Sequence, residues 1–202
     1  MDVLDKYKKA WDNQPEENKK VSKAEIYKMT KRKSSSVVKW ILIVGLLEFL
    51  VVLSSYLFVD YDENDNFYQE IGLKDFPFYS QMIAFAIAIY FIYKFYLNYK
   101  NISVTADTKS LMNQILTTRK TVKTYFIVSL SFLGIFVTII TFIMLAEKIA
   151  NMTSMELIIT VLVFIISLAI LLGLLWLFYQ LLYGILLRKL NSNYKELAKL
   201  EE

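Results

Sequence analysis

VVKWILIVGLLEFLVVLSSYLFV, from Val37 to Val59, is the stretch that decides the fold of this chain. A bilayer hydrocarbon core of ~30 Å is crossed by about 20 apolar residues in a helix. The stretch has that length, and its only charged residues are Lys39 and Glu48. It predicts a transmembrane helix. Working outward, FPFYSQMIAFAIAIYFIYKFYL (Phe76 to Leu97) is a second span and YFIVSLSFLGIFVTIITFIMLA (Tyr125 to Ala146) a third. Leu157 to Leu187 is the fourth, longer than a perpendicular crossing requires, so it tilts or projects from the membrane. No run alternates in the manner of a barrel strand, and backbone groups in lipid must pair within their own segment. The predicted fold class is therefore all-α: a four-helix transmembrane bundle with short cytoplasmic amphipathic helices.

The composition agrees. Of 202 residues, 56% are hydrophobic, against ~45–50% for a typical soluble domain. The chain has no cysteine and no histidine. This excludes disulfides, thiol catalysis, His-ligated iron and haem, and Ser-His-Asp catalysis. Five glycines form no phosphate-binding loop. No cofactor or metal is expected, and no enzyme activity. The first apolar run begins too deep for a secretory signal.

Charge predicts the orientation. Lys and Arg favour the cytoplasmic side. Lys6, Lys8, Lys9, Lys19, Lys20, Lys23, Lys28, Lys31, Arg32 and Lys33 precede the first span. Lys100, Lys109, Arg119, Lys120 and Lys123 lie between the second and third, and Arg188, Lys189, Lys195 and Lys199 follow the fourth. The other two loops carry only Lys74 and Lys148, and the first of them is acidic through Asp60, Asp62, Glu63, Asp65, Glu70 and Asp75. The expected organisation is a cytoplasmic arm (1–36), spans at 37–59, 76–97, 125–146 and 157–187, outer loops at 60–75 and 147–156, a cytoplasmic helical linker (98–124) and a cytoplasmic tail (188–202). Both termini then lie in the cytoplasm; the usage, heavy in Lys, Asn, Ile and Tyr, suggests an AT-rich bacterial genome, so the expected location is a bacterial inner membrane.

Three amphipathic pieces fall on that side. Leu4, Tyr7 and Trp11 make an apolar stripe in the arm. Ser22-Lys23-Ala24-Glu25 has the spacing of a capping box, with Val21 and Ile26 at the staple positions, and predicts a second helix from Ser22. In the linker, Leu111, Ile115, Thr118 and Val122 share one face; Leu187, Leu190, Tyr194 and Leu197 continue the fourth span at heptad spacing. Such stripes ordinarily pack on each other or lie in the headgroups. A partner surface requires an apolar patch left exposed; Leu4, Tyr7 and Trp11 are the candidates for one.

Trp11-Asp12, Ile26-Tyr27-Lys28-Met29, SSSVVKWILIVGLLEF (Ser34 to Phe49) and ISVTADTKSLMNQILTTRKTVKTY (Ile102 to Tyr125) resemble an uncharacterised family of four-span membrane proteins from flavobacteria and related Bacteroidota. The resemblance covers most of the chain and carries no known chemistry. Members of that family often lie beside a gene for an alternative sigma factor, which implies a regulatory context at most. Some carry a label as carotene-cleaving oxygenases. That label conflicts with this sequence, because such oxygenases hold their iron with histidines.

Glu48 is the candidate intramembrane polar site. A charged residue at the centre of a span costs ~2.5–3.5 kcal/mol on insertion scales, so it faces the bundle interior. It serves either as an ion or proton site or a contact that fixes assembly, or as a protonated or hydrogen-bonded structural residue; the structural role has the stronger claim, because transporters normally show several such residues and broken helices. Ser129, Ser131, Thr138 and Thr141 on the third span are its expected partners, and Lys94 is expected to snorkel. The DYDEND loop (Asp60 to Asp65) fails the EF-hand pattern at the glycine and final glutamate positions. Gly134, Ala169 and Gly173 are candidates for close helix approach. The leading expectation is a non-enzymatic inner-membrane protein acting through its cytoplasmic helices on a regulatory protein of a sigma-factor system. The alternative is a small transporter or pore component built on Glu48. Expected partners are the lipid bilayer, a cytoplasmic regulatory protein and a second copy of the chain, with no direct contact to nucleic acid.

Overall fold

The computed structural model describes residues 22–55, 68–149 and 152–201. The Leu4/Tyr7/Trp11 stripe, Val21 and the Asp60–Asp65 loop lie outside the described residues. Among the described residues there are four long helices and no strand: α1 (Lys23–Ser55), α2 (Phe76–Val104), α3 (Thr108–Ile149) and α4 (Ser154–Glu201). All four are long and apolar enough to cross a membrane, which fits a membrane protein. The architecture is an all-α four-helix bundle.

Each helix packs on its neighbours in sequence, and α1 closes the square against α4. The connections reverse the chain, so adjacent helices are antiparallel. The start of α1, the α2–α3 turn at 105–107 and the end of α4 therefore share one end, called basal here. At a rise of 1.5 Å per residue, α3 with 42 residues and α4 with 48 are about 63 and 72 Å long, roughly twice a bilayer core.

The pieces predicted as separate short helices are continuous with the spans. The segment expected to start at Ser22 runs on into the first span as α1, to Ser55. The linker is the end of α2, a tight turn, and the first turns of α3. The reason is packing. Buried positions on α3 (Leu111, Ile115, Thr118, Val122) and on α2 (Phe91, Phe95, Asn98, Ile102), continued by Thr105 at its C-cap, alternate in steps of four and three. Thr30, Ser34, Val37 and Ile41 on α1 and Tyr183, Leu190 and Leu197 on α4 complete the seam. Four heptad stripes facing one axis form a coiled-coil-like core. This core is basal. In the most apolar window of each helix only 22%, 11%, 6% and 0% of residues are buried, so the distal surface there must be covered by lipid or another chain rather than by this bundle.

Helix ends at the base are tied by polar contacts. The Ser22 hydroxyl accepts from the Glu25 amide at 3.2 Å, the predicted N-cap. Asp107 caps α3 in the same way, its carboxylate accepting from the Ser110 amide at 2.8 Å. Tyr27 (3.0 Å) and Lys31 both donate to the Thr105 carbonyl, and Lys23 donates to the Leu200 carbonyl at 2.8 Å. Cations from the first turns of α1 thus meet the negative C-terminal ends of α2 and α4. At the distal end Glu156 reaches back over the first turn of α4, its carboxylate accepting from both the amide and the hydroxyl of Thr153.

Candidate functional site

Glu48 sits on the inward stripe of α1, seven residues beyond the buried Ile41. Its Oε2 accepts from the Tyr125 hydroxyl of α3 at 2.9 Å and from the Tyr183 hydroxyl of α4 at 3.0 Å. One carboxylate oxygen therefore joins three helices. The expected partners on the third span do not supply these bonds. Ser129 lines the same cavity as Glu48, while the Thr138 hydroxyl turns back to the Gly134 carbonyl of its own helix at 2.7 Å. A serine hydroxyl reaches only a short way from its helix; a tyrosine spans the gap between helix axes.

The register also moves Glu48 away from the position its own helix suggests. It is central in the apolar run of α1. Yet it meets α3 at Tyr125, where that apolar run begins, and α4 at Tyr183, near the basal limit of Leu157 to Leu187. The carboxyl group thus lies toward the base of the apolar layer, where a polar group costs less than at the centre.

Aromatic rings enclose the site. Tyr125 packs its ring against Phe91 (centroids 5.2 Å apart), Phe95 (5.6 Å) and Tyr183 (6.3 Å). Phe126 lies 4.8 Å from Tyr179 and 5.1 Å from Tyr183. Offset and edge contacts of this kind contribute ~0.5–1.5 kcal/mol each beyond area burial. Gly45, one turn below Glu48, makes the closest approach: a Cβ there would stand 3.1 Å from Phe95 Cδ2 and 3.8 Å from the Tyr183 hydroxyl. Of the small residues singled out in the sequence, a Cβ on Gly134 would make only ordinary contact with Leu172 at 3.6 Å, and one on Gly173 would meet open space. Gly45 holds the role expected of Gly134 and Gly173.

Between α1, α2 and α3, above the Phe95 ring, lies a cavity of about 180 Å³. Its lining is apolar except for Glu48, Gln81, Ser129, Tyr125 and Tyr179. The second carboxylate oxygen, Glu48 Oε1, is buried without a hydrogen-bond partner, as is Gln81 Nε2. No lysine or arginine lines the cavity. Lys94 turns away, its Nζ 5.5 Å from the centre of the Tyr90 ring. Among the described residues no group of three or more acidic side chains is placed to hold a metal ion.

A family model for the domain of unknown function DUF8845 matches residues 24–202. The chain belongs to that family. The match takes in all four helices and the Glu48 cavity; Leu4, Tyr7 and Trp11 precede it. No curated protein and no solved structure matches this DUF8845 chain.

Sequence reasoning singled out Glu48 but missed Tyr125, Tyr183, Gln81 and Gly45. A signal existed for Tyr183: stepping back seven residues from Leu197 and Leu190 reaches it. Tyr125 extends the Leu111-to-Val122 stripe by three. Gln81 and Gly45 carry no local signal, since their roles come from what the neighbouring helices place opposite them.

Proposed function

We propose that this protein is a non-enzymatic, multi-pass protein of the bacterial inner membrane, with both termini cytoplasmic, that acts as a regulatory element through its basal bundle and N-terminal arm. The observation that supports this reading is the extension of all four helices beyond their apolar runs into one packed basal bundle, which collects Lys23, Lys31, Arg119 and Lys195 at the same end. Cations concentrate on the cytoplasmic side. The heptad faces of the linker and tail are spent inside that bundle, so they offer no partner surface. The arm remains the candidate contact, with Trp11 as anchor and Leu4 and Tyr7 beside it; Trp is enriched among residues whose truncation costs ~2 kcal/mol or more of binding. A cytoplasmic protein of a sigma-factor system is the partner the family resemblance suggests.

A crosslinked pull-down from native membranes tests this. Trp11→Ala is expected to leave the melting of the bundle unchanged and to remove a co-purifying protein. A variant that melts lower, from a purified chain with no other protein in it, means that the arm is structural and ends the regulatory reading. A second reading, a small transporter or pore component, is favoured by the buried, unpartnered Oε1 of Glu48, whose side chain lines the cavity. An ion flux in liposomes that Glu48→Gln abolishes would put transport first.

A further inference from the structure

The two oxygens of Glu48 live differently. Oε2 takes two tyrosine hydroxyls, while Oε1 is buried without a partner and the Glu48 side chain lines the cavity. A buried acceptor left unsatisfied is costly, and a native structure holding one usually keeps it for something. The surroundings say what kind of group fits. Phe85, Phe91, Phe95, Phe132 and Tyr125 line the same space. Ring faces carry negative potential and attract cations, most strongly where water is excluded. With no lysine or arginine in the lining, the protein itself supplies no counter-charge for a carboxylate there. The volume of about 180 Å³ suits one ring-sized molecule, since an apolar cavity of ~150 Å³ accepts benzene.

The geometry points to a binding site for a small lipophilic amine, its protonated nitrogen on Glu48 Oε1 and its apolar body among the Phe85, Phe91, Phe95 and Phe132 rings. A neutral amine dissolved in the bilayer takes the carboxyl proton of Glu48 onto its nitrogen. Carboxylate and ammonium are then left in contact, and the pair carries no net charge. The ammonium N–H donates to Oε1, while Tyr125 and Tyr183 continue to hold Oε2. Gln81, on α2, lines the same cavity, and its Nε2 is a buried donor without a partner for a ligand with an acceptor at its other end. Occupancy requires neither a partner on the arm nor transport, so the site stands whichever of those two readings holds.

The test is binding of phenethylamine to the purified full chain in nanodiscs, by equilibrium dialysis, with phenylethanol as the neutral analogue. Saturable binding of the amine is expected, weakened roughly tenfold or more by Glu48→Gln, with the analogue bound no better by the native chain than by that variant; loss of a desolvated ion pair and its cation–π contacts is worth at least that factor. Ala88→Phe fills the cavity from α2 and leaves the carboxylate in place. It is expected to abolish binding while helicity and gel-filtration behaviour stay native. The proposal is overturned if amine binding is unsaturable, if Glu48→Gln binds as well as the native chain, or if phenylethanol binds the native chain as tightly as the amine. If Glu48→Gln does not fold, the Ala88→Phe comparison decides alone: undiminished binding in that variant refutes the site.

Discussion

The Tyr183 hydroxyl donates to Glu48 Oε2 at 3.0 Å and joins the last helix of the bundle to the first. Nearer the base, the same two helices are joined again where Asn193 Nδ2 donates to the buried Ser34 Oγ at 3.0 Å. These two contacts, with Lys23 on the Leu200 carbonyl, set the axial register of α1 against α4. A buried polar pair within a heptad seam is a known device for specifying register at some cost in stability.

Tyr183→Phe removes one donor from Glu48 and leaves the ring in place. A hydrogen bond to a carboxyl group contributes ~1–3 kcal/mol, so unfolding of the purified chain in mixed micelles should need less denaturant by about that amount. Combined with Tyr125→Phe, the loss should be non-additive, because both hydroxyls serve one oxygen. Strict additivity would mean that the two tyrosines do not share Glu48.

Gly45→Ala and Gly134→Ala should move stability in opposite directions. The new methyl at position 45 meets the buried Phe95 ring at 3.1 Å and should cost ~1–3 kcal/mol. At position 134 it meets only Leu172 at 3.6 Å, and the chain should gain up to about 1 kcal/mol from the better helix former. Thermal unfolding of the two variants side by side decides; a shift of both in the same direction contradicts the close approach at Gly45.

Ser22→Ala removes the side-chain acceptor of the Glu25 amide at the start of α1 and leaves the Ser22 carbonyl, at 2.9 Å, as its remaining acceptor. The first turn should loosen by ~0.5–2 kcal/mol. Amide exchange across Ile26 to Met29 should accelerate while Leu111 and Ile115, deep in the seam, stay protected. Unchanged exchange in the first turn would show that tertiary contacts from Tyr27 and Lys31 to Thr105 hold it without the cap.

Topology is open to direct labelling, because the chain has no cysteine of its own. A single cysteine at Asn64 should react with an impermeant maleimide in intact cells. Cysteines at Asn113 and Ser192, on the basal extensions of α3 and α4, should react only after permeabilisation. Outside labelling at Asn113 would invert the orientation.

By itself, the sequence determined the helices, their apolar runs and most of the inward faces. These are local properties. An apolar run is counted along one chain, and the steps of Leu111, Ile115, Thr118 and Val122 repeat with the helix's own turn, so all four could be read as one stripe and all four are fully buried. The Ser22 cap is legible for the same reason, since its donor lies three residues away. Tertiary structure alone decided how far each helix slides along its neighbour. Periodicity is unchanged by a slide, so it could not tell that Glu48 meets Tyr125 and Tyr183 rather than Ser131 or Thr141. Nor could it tell that Phe95 comes to rest on Gly45, or that a cavity opens beside Glu48. Long-range contacts choose that register: two buried polar pairs, two charged caps and a cluster of rings that fit together at one axial offset.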